Sequence, residues 1–231
     1  YTALGGSTAS SSVKLSKAQE NVAGPDADWL NPAFAATDDA SLATAALDSG
    51  TANEFSDYLK VNDFRFSGIP TDATIAGITV VVERDSATVS GTPQHNTTVA
   101  SLLKGGNLVG FNREADDTVN WPENAPGSLA THGNATELWS TTWSPSDINS
   151  ATGFGFALEA RDLGTKTTTA RVDYIEITVD YNIPNPLEPF NGTVLDSSGM
   201  GNNGILRFAT SSAWIAATGT PAFANFGTAI N

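Results

Sequence analysis

The residues of this sequence best suited to chemistry are its carboxylates. Asp26 and Asp28 precede Trp29, Asp38 and Asp39 follow it, and Glu114, Asp116 and Asp117 stand ahead of Trp121. Side-chain carboxylates together with loop carbonyls supply the hard oxygen ligands that Ca²⁺ collects. These seven are the candidate cation ligands, and Ca²⁺ is the ion expected if one binds. The spacing is not that of an EF-hand, and acidic loops more commonly just face water. Carboxylate pairs also hydrolyse glycosides when two of them face each other across a cleft. In a chain with 25 Asp and Glu such pairs arise by chance, so no catalytic residue is assigned and the chain is read as a non-enzyme.

Other chemistries leave less trace. His95 and His132 are the only histidines. Both sit in polar stretches that read as exposed loops, and no Gly-x-Ser-x-Gly elbow accompanies them. An indole face can stack on a sugar ring, which makes Trp121, beside Pro122, and Trp139 the candidate ligand platforms. Trp139 and Trp143 would share one face of a strand. Against this, large aromatics usually pack in cores or interfaces. Asn96-Thr97-Thr98, Asn134-Ala135-Thr136 and Asn191-Gly192-Thr193 match the N-glycan acceptor pattern.

Composition narrows the classes. The 231 residues carry 25 acidic and 11 basic side chains, a formal charge of −14. Phosphate backbones repel such a chain, so nucleic acid is not the expected partner. The lack of cysteine excludes disulfides, thiol chemistry and cysteine-ligated metals. No apolar run approaches a membrane span. The first residue is Tyr1, which fits a removed signal peptide or excision from a longer chain.

The elements that must position these side chains are strands. Phe154, Phe156 and Leu158 alternate with Gly155, Ala157 and Glu159; Ile175, Ile177, Val179 and Tyr181 alternate with Glu176, Thr178 and Asp180. Period two of this kind marks half-buried strands. Ala73–Arg84, Thr97–Lys104 and Glu137–Trp143 are further candidates. Leu59 and Val61 differ in parity from Phe64 and Phe66, which predicts a bulge near Asn62-Asp63. Gly105-Gly106 reads as a tight hairpin. Residues 38–47 read as a short helix or as a strand. Ser144 followed by Pro145 predicts a capped helical turn. Many short strands with Gly, Pro, Asn and Asp joints predict an all-β, antiparallel, jelly-roll-like sandwich.

Four segments follow. Residues 1–24 form an N-terminal extension and candidate donor strand, and residues 25–182 form the sandwich. The prolines of 183–189 form an extended linker. Residues 190–231 are a tail too small to hold a core alone. The apolar residues Phe190, Leu206, Phe208, Trp214, Phe223, Phe226 and Ile230 must then pack on the sandwich or on a neighbouring subunit, and with Leu15 they are the candidate assembly residues.

Trp29-Leu30-Asn31-Pro32, Phe64-Arg65-Phe66, Ile69-Pro70 and Ala73–Ile78, then Leu103–Gly106, Trp121-Pro122, Leu138-Trp139, Trp143–Asn149, Phe154–Ala157 and Val172–Val179, resemble in order and spacing a β-sandwich module of bacterial surface and phage tail-associated proteins. The resemblance covers residues 25–182 and implies a non-catalytic extracellular or virion module. The segment Asp196–Leu206 resembles the opening of a laminin-G or concanavalin-A-like domain. It stops short of that family's calcium and sugar loops.

The functional expectation is a structural subunit of an extracellular or phage fibre, a homopolymer assembled by terminal strand donation. The alternative is a carbohydrate-binding or adhesion module contacting glycans or a cell surface. A charge of −14 repeated along a polymer repels itself, so assembly should depend on salt or Ca²⁺.

Overall fold

A computed structural model of the chain describes residues 26–47, 53–64, 66–88, 95–117, 119–149, 152–164 and 167–183, with the backbone alone of 7–12, 18–22, 190–194 and 204–209. The chain divides into two compact units, residues 8–183 and residues 1–7 with 184–231.

The larger unit holds β1 (Ser7–Ser12), β2 (Ala18–Val22), β3 (Trp29–Leu30), β4 (Ala43–Leu47), β5 (Glu54–Phe55), β6 (Tyr58–Asn62), β7 (Thr74–Thr88), β8 (His95–Lys104), β9 (Asn107–Val109), β10 (Leu129–Asn134), a single helical turn α1 (Pro145–Asn149), β11 (Gly155–Asp162) and β12 (Thr168–Ile183). One sheet runs β10-β7-β12-β4-β3, with β1 also on β12; the other runs β2-β6-β11-β8-β9, with β5 also on β11. The ladders among β2 to β12 are antiparallel. The consecutive strands β12 and β11 lie inside the two sheets. Each is flanked by a member of the β7–β8 ribbon on one side and of the β4–β6 segment on the other. Consecutive stretches of chain thus alternate between the two sheets over a common core, and the all-β antiparallel sandwich expected from the sequence is what the chain forms.

One core joins the sheets. Leu59, Val61, Leu102, Phe156 and Leu158 from one meet Ile78, Val80, Val82, Ile175, Ile177 and Val179 from the other, all fully buried. The alternation read in the sequence is the alternation of burial along β6 and β12, whereas in β11 Gly155 to Leu158 are all buried and alternation begins only at Glu159. Gly105 and Gly106 close the β8–β9 hairpin with φ of 59° and 78°, the doubly left-handed turn that glycine adopts without strain. In α1, Ser144 Oγ accepts the Asp147 N–H while the Asp147 carboxylate accepts the Ser144 N–H at 2.8 Å. Two of the free N–H groups at the N-terminal end of that turn are thereby satisfied. Of residues 38–47, 43–47 form the strand β4 and 38–42 form the loop ahead of it.

Two expectations need correction. The parity change after Val61 is not a bulge within a strand. β6 ends at Asn62, Asp63 turns left-handed with φ of 66°, and Phe64 and Phe66 re-enter the core from irregular backbone. Residues 137–143 are turns rather than strand, because Trp139 and Ser140 are consecutively left-handed.

In the smaller unit, β13 (Phe190–Val194) and β14 (Gly204–Ala209) pair antiparallel. Phe190, Leu206 and Phe208 fall on these strands. Residues 184–189, Leu15, Trp214, Phe223, Phe226 and Ile230 lie outside the described residues. Among the described residues no helix is long and apolar enough to cross a membrane.

Candidate cation site at a sheet bulge

Val172 of β12 pairs with Arg84 of β7, and the next pair is Ile175 with Val82. Three steps along β12 therefore match two along β7, so β12 carries one extra residue. Such a bulge re-aims side chains. Before it Ala170 and Val172 point inward; after it Ile175 and Ile177 do. Asp173, at the change of phase, is only 4% exposed.

Its carboxylate is held by the loop ahead of β4. Asp173 Oδ2 accepts the Ala40 N–H at 3.1 Å, and Oδ1 accepts the Asp39 N–H at 3.5 Å. Ala40 makes its bond from left-handed backbone, φ 63°, a conformation that costs a side-chain-bearing residue about 1–2 kcal/mol. The next residue on β12, Tyr174, bridges to Ala36 of the same loop.

This arrangement gathers three acids. Carboxylate oxygens of Asp38, Glu83 and Asp173 all lie within 4.8 Å of one another. Burial raises the Asp173 pKa above the ordinary carboxylate value, and the nearby charges of Asp38 and Asp39 add to the rise; the two backbone N–H groups oppose it without cancelling it. Glu83 is steadied by the Gly127 N–H, which donates to its Oε1 at 2.7 Å. The trio borders an open depression of about 590 Å³ that Asp39, Asn124 and Arg171 also line. Arg171 is paired with Asp85, and Arg84 with Asp117, so both guanidinium groups at the depression already have carboxylate partners.

Converging carboxylates in a half-open site suit a hard cation, which would offset both the burial and the neighbouring charge that raise Asp173. They suit hydrolysis less well. A retaining glycosidase separates its two carboxyl groups by about 5–5.5 Å so that one serves as acid and the other as nucleophile. Here three crowd together, and none of the residues lining the depression is aromatic.

The sequence candidates scatter around this site. Asp38 belongs to the trio, and Asp39 lines the depression while its Oδ1 accepts the Ser41 N–H at 2.9 Å. Asp26 and Asp28 are exposed and belong to neither. The carboxylates of the 114–117 group are engaged with protein partners. Asp117 is buried in an ion pair with Arg84 and also accepts from Thr97 Oγ1 at 2.8 Å. Asp116 accepts the Gly133 N–H at 2.7 Å and pairs with Arg113; Glu114 accepts from Asn112 Nδ2 at 2.7 Å. Glu83 and Asp173 escaped the sequence reading. The signal for Asp173 was present, in the switch of apolar parity from Val172 to Ile175.

The aromatic platforms are also corrected. Trp121 and Trp139 are 1% and 0% exposed, so neither offers a face to a sugar. Trp121 Nε1 donates to Thr97 Oγ1 at 3.1 Å, and the Arg84 guanidinium covers its ring at 5.5 Å. Trp139 Nε1 donates to the Ile78 carbonyl at 2.9 Å. The histidines are likewise buried strand residues rather than exposed loop ones. His132 Nδ1–H donates to the Arg113 carbonyl at 2.9 Å.

No protein-family model, curated protein or solved structure matches the chain. The functional reading therefore rests on the fold and on the geometry of its sites.

Proposed function

We propose that this chain is a non-catalytic structural module of an extracellular or phage appendage, and that copies of it assemble by exchanging N-terminal strands. The observation that carries this reading is the placement of the first two strands. β1 completes one sheet on β12 and β2 completes the other on β6. Both come from the first 22 residues, ahead of the body of the sandwich. Withdrawing them uncovers main-chain N–H and C=O groups on both sheets, and such edges accept a replacement strand from another copy. A contact of this kind runs head to tail and propagates as a filament.

The test is assembly state. Light scattering and electron microscopy of the full chain should show concentration-dependent polymers, and a chain lacking residues 1–24 should stay monomeric, keep its β circular dichroism, and bind a peptide of residues 7–22. A full-length chain that remains monomeric at every concentration and salt, and whose truncated form ignores the peptide, overturns the reading.

A second reading is favoured by the Asp38, Glu83 and Asp173 cluster: a Ca²⁺-dependent adhesion module that acts as a single copy. Calorimetric titration with CaCl₂ tests it. Heat at one site that is lost in Asp173→Asn supports it, and no heat removes it.

A further inference from the structure

The three glycan-acceptor patterns are not equivalent in the folded chain. Asn134 is the last residue of β10, and it, Ala135 and Thr136 are all exposed. Its side-chain carbonyl Oδ1 accepts two hydrogen bonds, from the Thr136 N–H at 3.0 Å and from the Thr136 hydroxyl at 2.9 Å. Its Nδ2 makes no hydrogen bond among the described residues and faces solvent. The turn that holds this arrangement is itself fixed. The Glu137 N–H donates to the Asn134 carbonyl at 3.1 Å, and the Ile78 N–H donates to the Glu137 carbonyl at 3.0 Å. The backbone at Ala135 and Thr136 presses so closely on Gly77 that a Cβ there would lie 2.2 Å from Ala135 C.

Asn96 has the same pattern and the opposite surroundings. It lies within β8, paired with Arg161 of β11, and its Oδ1 accepts from Arg161 Nε at 3.2 Å. Thr97 is buried, and the hydroxyl of Thr98 is spent on Glu159 Oε2 at 2.7 Å. Asn96 is half-buried in a paired strand and the hydroxyl two residues on is already engaged, so this pattern cannot reach a modifying enzyme's acceptor groove without opening the sheet.

We propose that Asn134 is an acceptor site for an N-linked glycan and that Asn96 is not. The co-substrate class is a polyprenyl-pyrophosphate-linked oligosaccharide, presented by an oligosaccharyltransferase. In the transfer, Asn134 Nδ2 forms a bond to the anomeric carbon. The bond from that carbon to the pyrophosphate oxygen breaks, the pyrophosphate leaves with the electron pair, and the amide loses one proton to a base of the transferase. Two donors on Oδ1 draw electron density toward the oxygen and make that proton easier to lose. The folded chain thus presents its amide already polarised and exposed. In the organism this modification rests on the extracellular reading above, because such donors are used on exported chains.

The test uses the purified, folded full chain in an Asn191→Gln background, a purified single-subunit oligosaccharyltransferase of relaxed acceptor specificity and a short-chain polyprenyl-pyrophosphate glycan. Intact mass and peptide mapping should show one glycan, at Asn134. Asn134→Gln and Thr136→Val should remove it, whereas Thr136→Ser, which keeps the hydroxyl, and Asn96→Gln should retain it. Circular dichroism of each variant confirms the fold, and mapping on the unsubstituted sites needs no folding control. Modification of the urea-unfolded chain but not of the folded one overturns the proposal, as does a glycan on Asn96 in the folded chain. Because the reaction contains only purified components, it is independent of location. An acceptor that works in this reaction but is bare in the protein from its natural source counts against the extracellular reading and not against the site.

Discussion

His95 Nε2 lies 2.6 Å from Thr168 Oγ1, a contact that joins β8 of one sheet to β12 of the other. The Thr168 hydroxyl donates onward to the Leu47 carbonyl at 3.2 Å, so its oxygen accepts the Nε2–H. His95 Nδ1 is left as acceptor for the Ser86 hydroxyl at 2.8 Å. Four strands, β4, β7, β8 and β12, therefore share one buried chain of hydrogen bonds in which the imidazole is neutral. Such a chain is satisfied only while every member keeps its donor or acceptor role.

Acid should break it. Burial lowers the His95 pKa from 6.5 to about 4, with the charge of Asp162 opposing the shift. The unfolded chain takes up the proton first, so the stability from a neutral His95 is complete above pH 6.5 and is lost as pH falls from there toward 4. The loss reaches about 3 kcal/mol. Burial also lowers the His132 pKa, which adds a decline of the same sign. Urea melts from pH 7.5 to 4 should show this slope, and His95→Gln should be less stable at pH 7.5 yet lose less on acidification. Equal slopes in the two proteins would remove the assignment.

Removing one carboxylate from the trio should act in two directions. The Asp173 carboxyl is raised by burial and neighbouring charge, so its ionisation opposes folding at neutral pH. Without divalent ions, Asp173→Asn should change stability by less than about 1 kcal/mol, because Asn can still accept one backbone N–H. With CaCl₂ at a hundredfold excess over its dissociation constant, the parent chain should gain about 2.7 kcal/mol, and the variant should gain nothing. Thermal melts with CaCl₂ and with EDTA compare the four states.

Two glycines separate crowding from backbone strain. A Cβ at Gly77 would lie 2.2 Å from the Ala135 backbone, whereas one at Gly105 would meet nothing within 4 Å but would sit at a φ of +59°. Gly77→Ala should cost about 3 kcal/mol or more, since backbone must move. Gly105→Ala should cost about 1 kcal/mol, the conformational term alone. Chemical denaturation of both variants gives the comparison.

Truncating Trp121 should unfold rather than merely weaken. The side chain is fully buried and its Nε1 is bonded to Thr97, so Trp121→Ala should cost about 3–5 kcal/mol. Loss of glycan adhesion in that variant would then track its loss of structure, measured by the same circular dichroism melt, and would not identify a sugar platform.

What the sequence made legible was period two. The faces of β11 and β12, the glycine hairpin after β8 and the cap at Ser144 follow from local rules, and local rules suffice because each involves neighbours in the chain. The site was less legible because it is made of non-neighbours. Asp38 was visible as one of many acids, but its partners Glu83 and Asp173 meet it only through the β7–β12 register and a bulge. His132 and Trp139 misled for a related reason. Polar and glycine neighbours suggested loop for His132, yet Gly133 is small because Trp139 Nε1 comes within 2.7 Å of where its Cβ would be. A glycine that reads as a turn in one dimension is here a space left for a ring.

The position of β11 and β12 has a kinetic consequence. They are the last strands of the sandwich to leave the ribosome, yet they lie inside the two sheets. β4 and β5 pair with them across more than a hundred residues of chain. Nothing upstream can finish a sheet early, so folding waits on contacts of long sequence separation, which are slow to form. A nascent chain stopped before residue 155 holds hairpin fragments and open edges, and holdase chaperones should engage that length most strongly. The same delay keeps the sandwich unfolded until its last strand has been made.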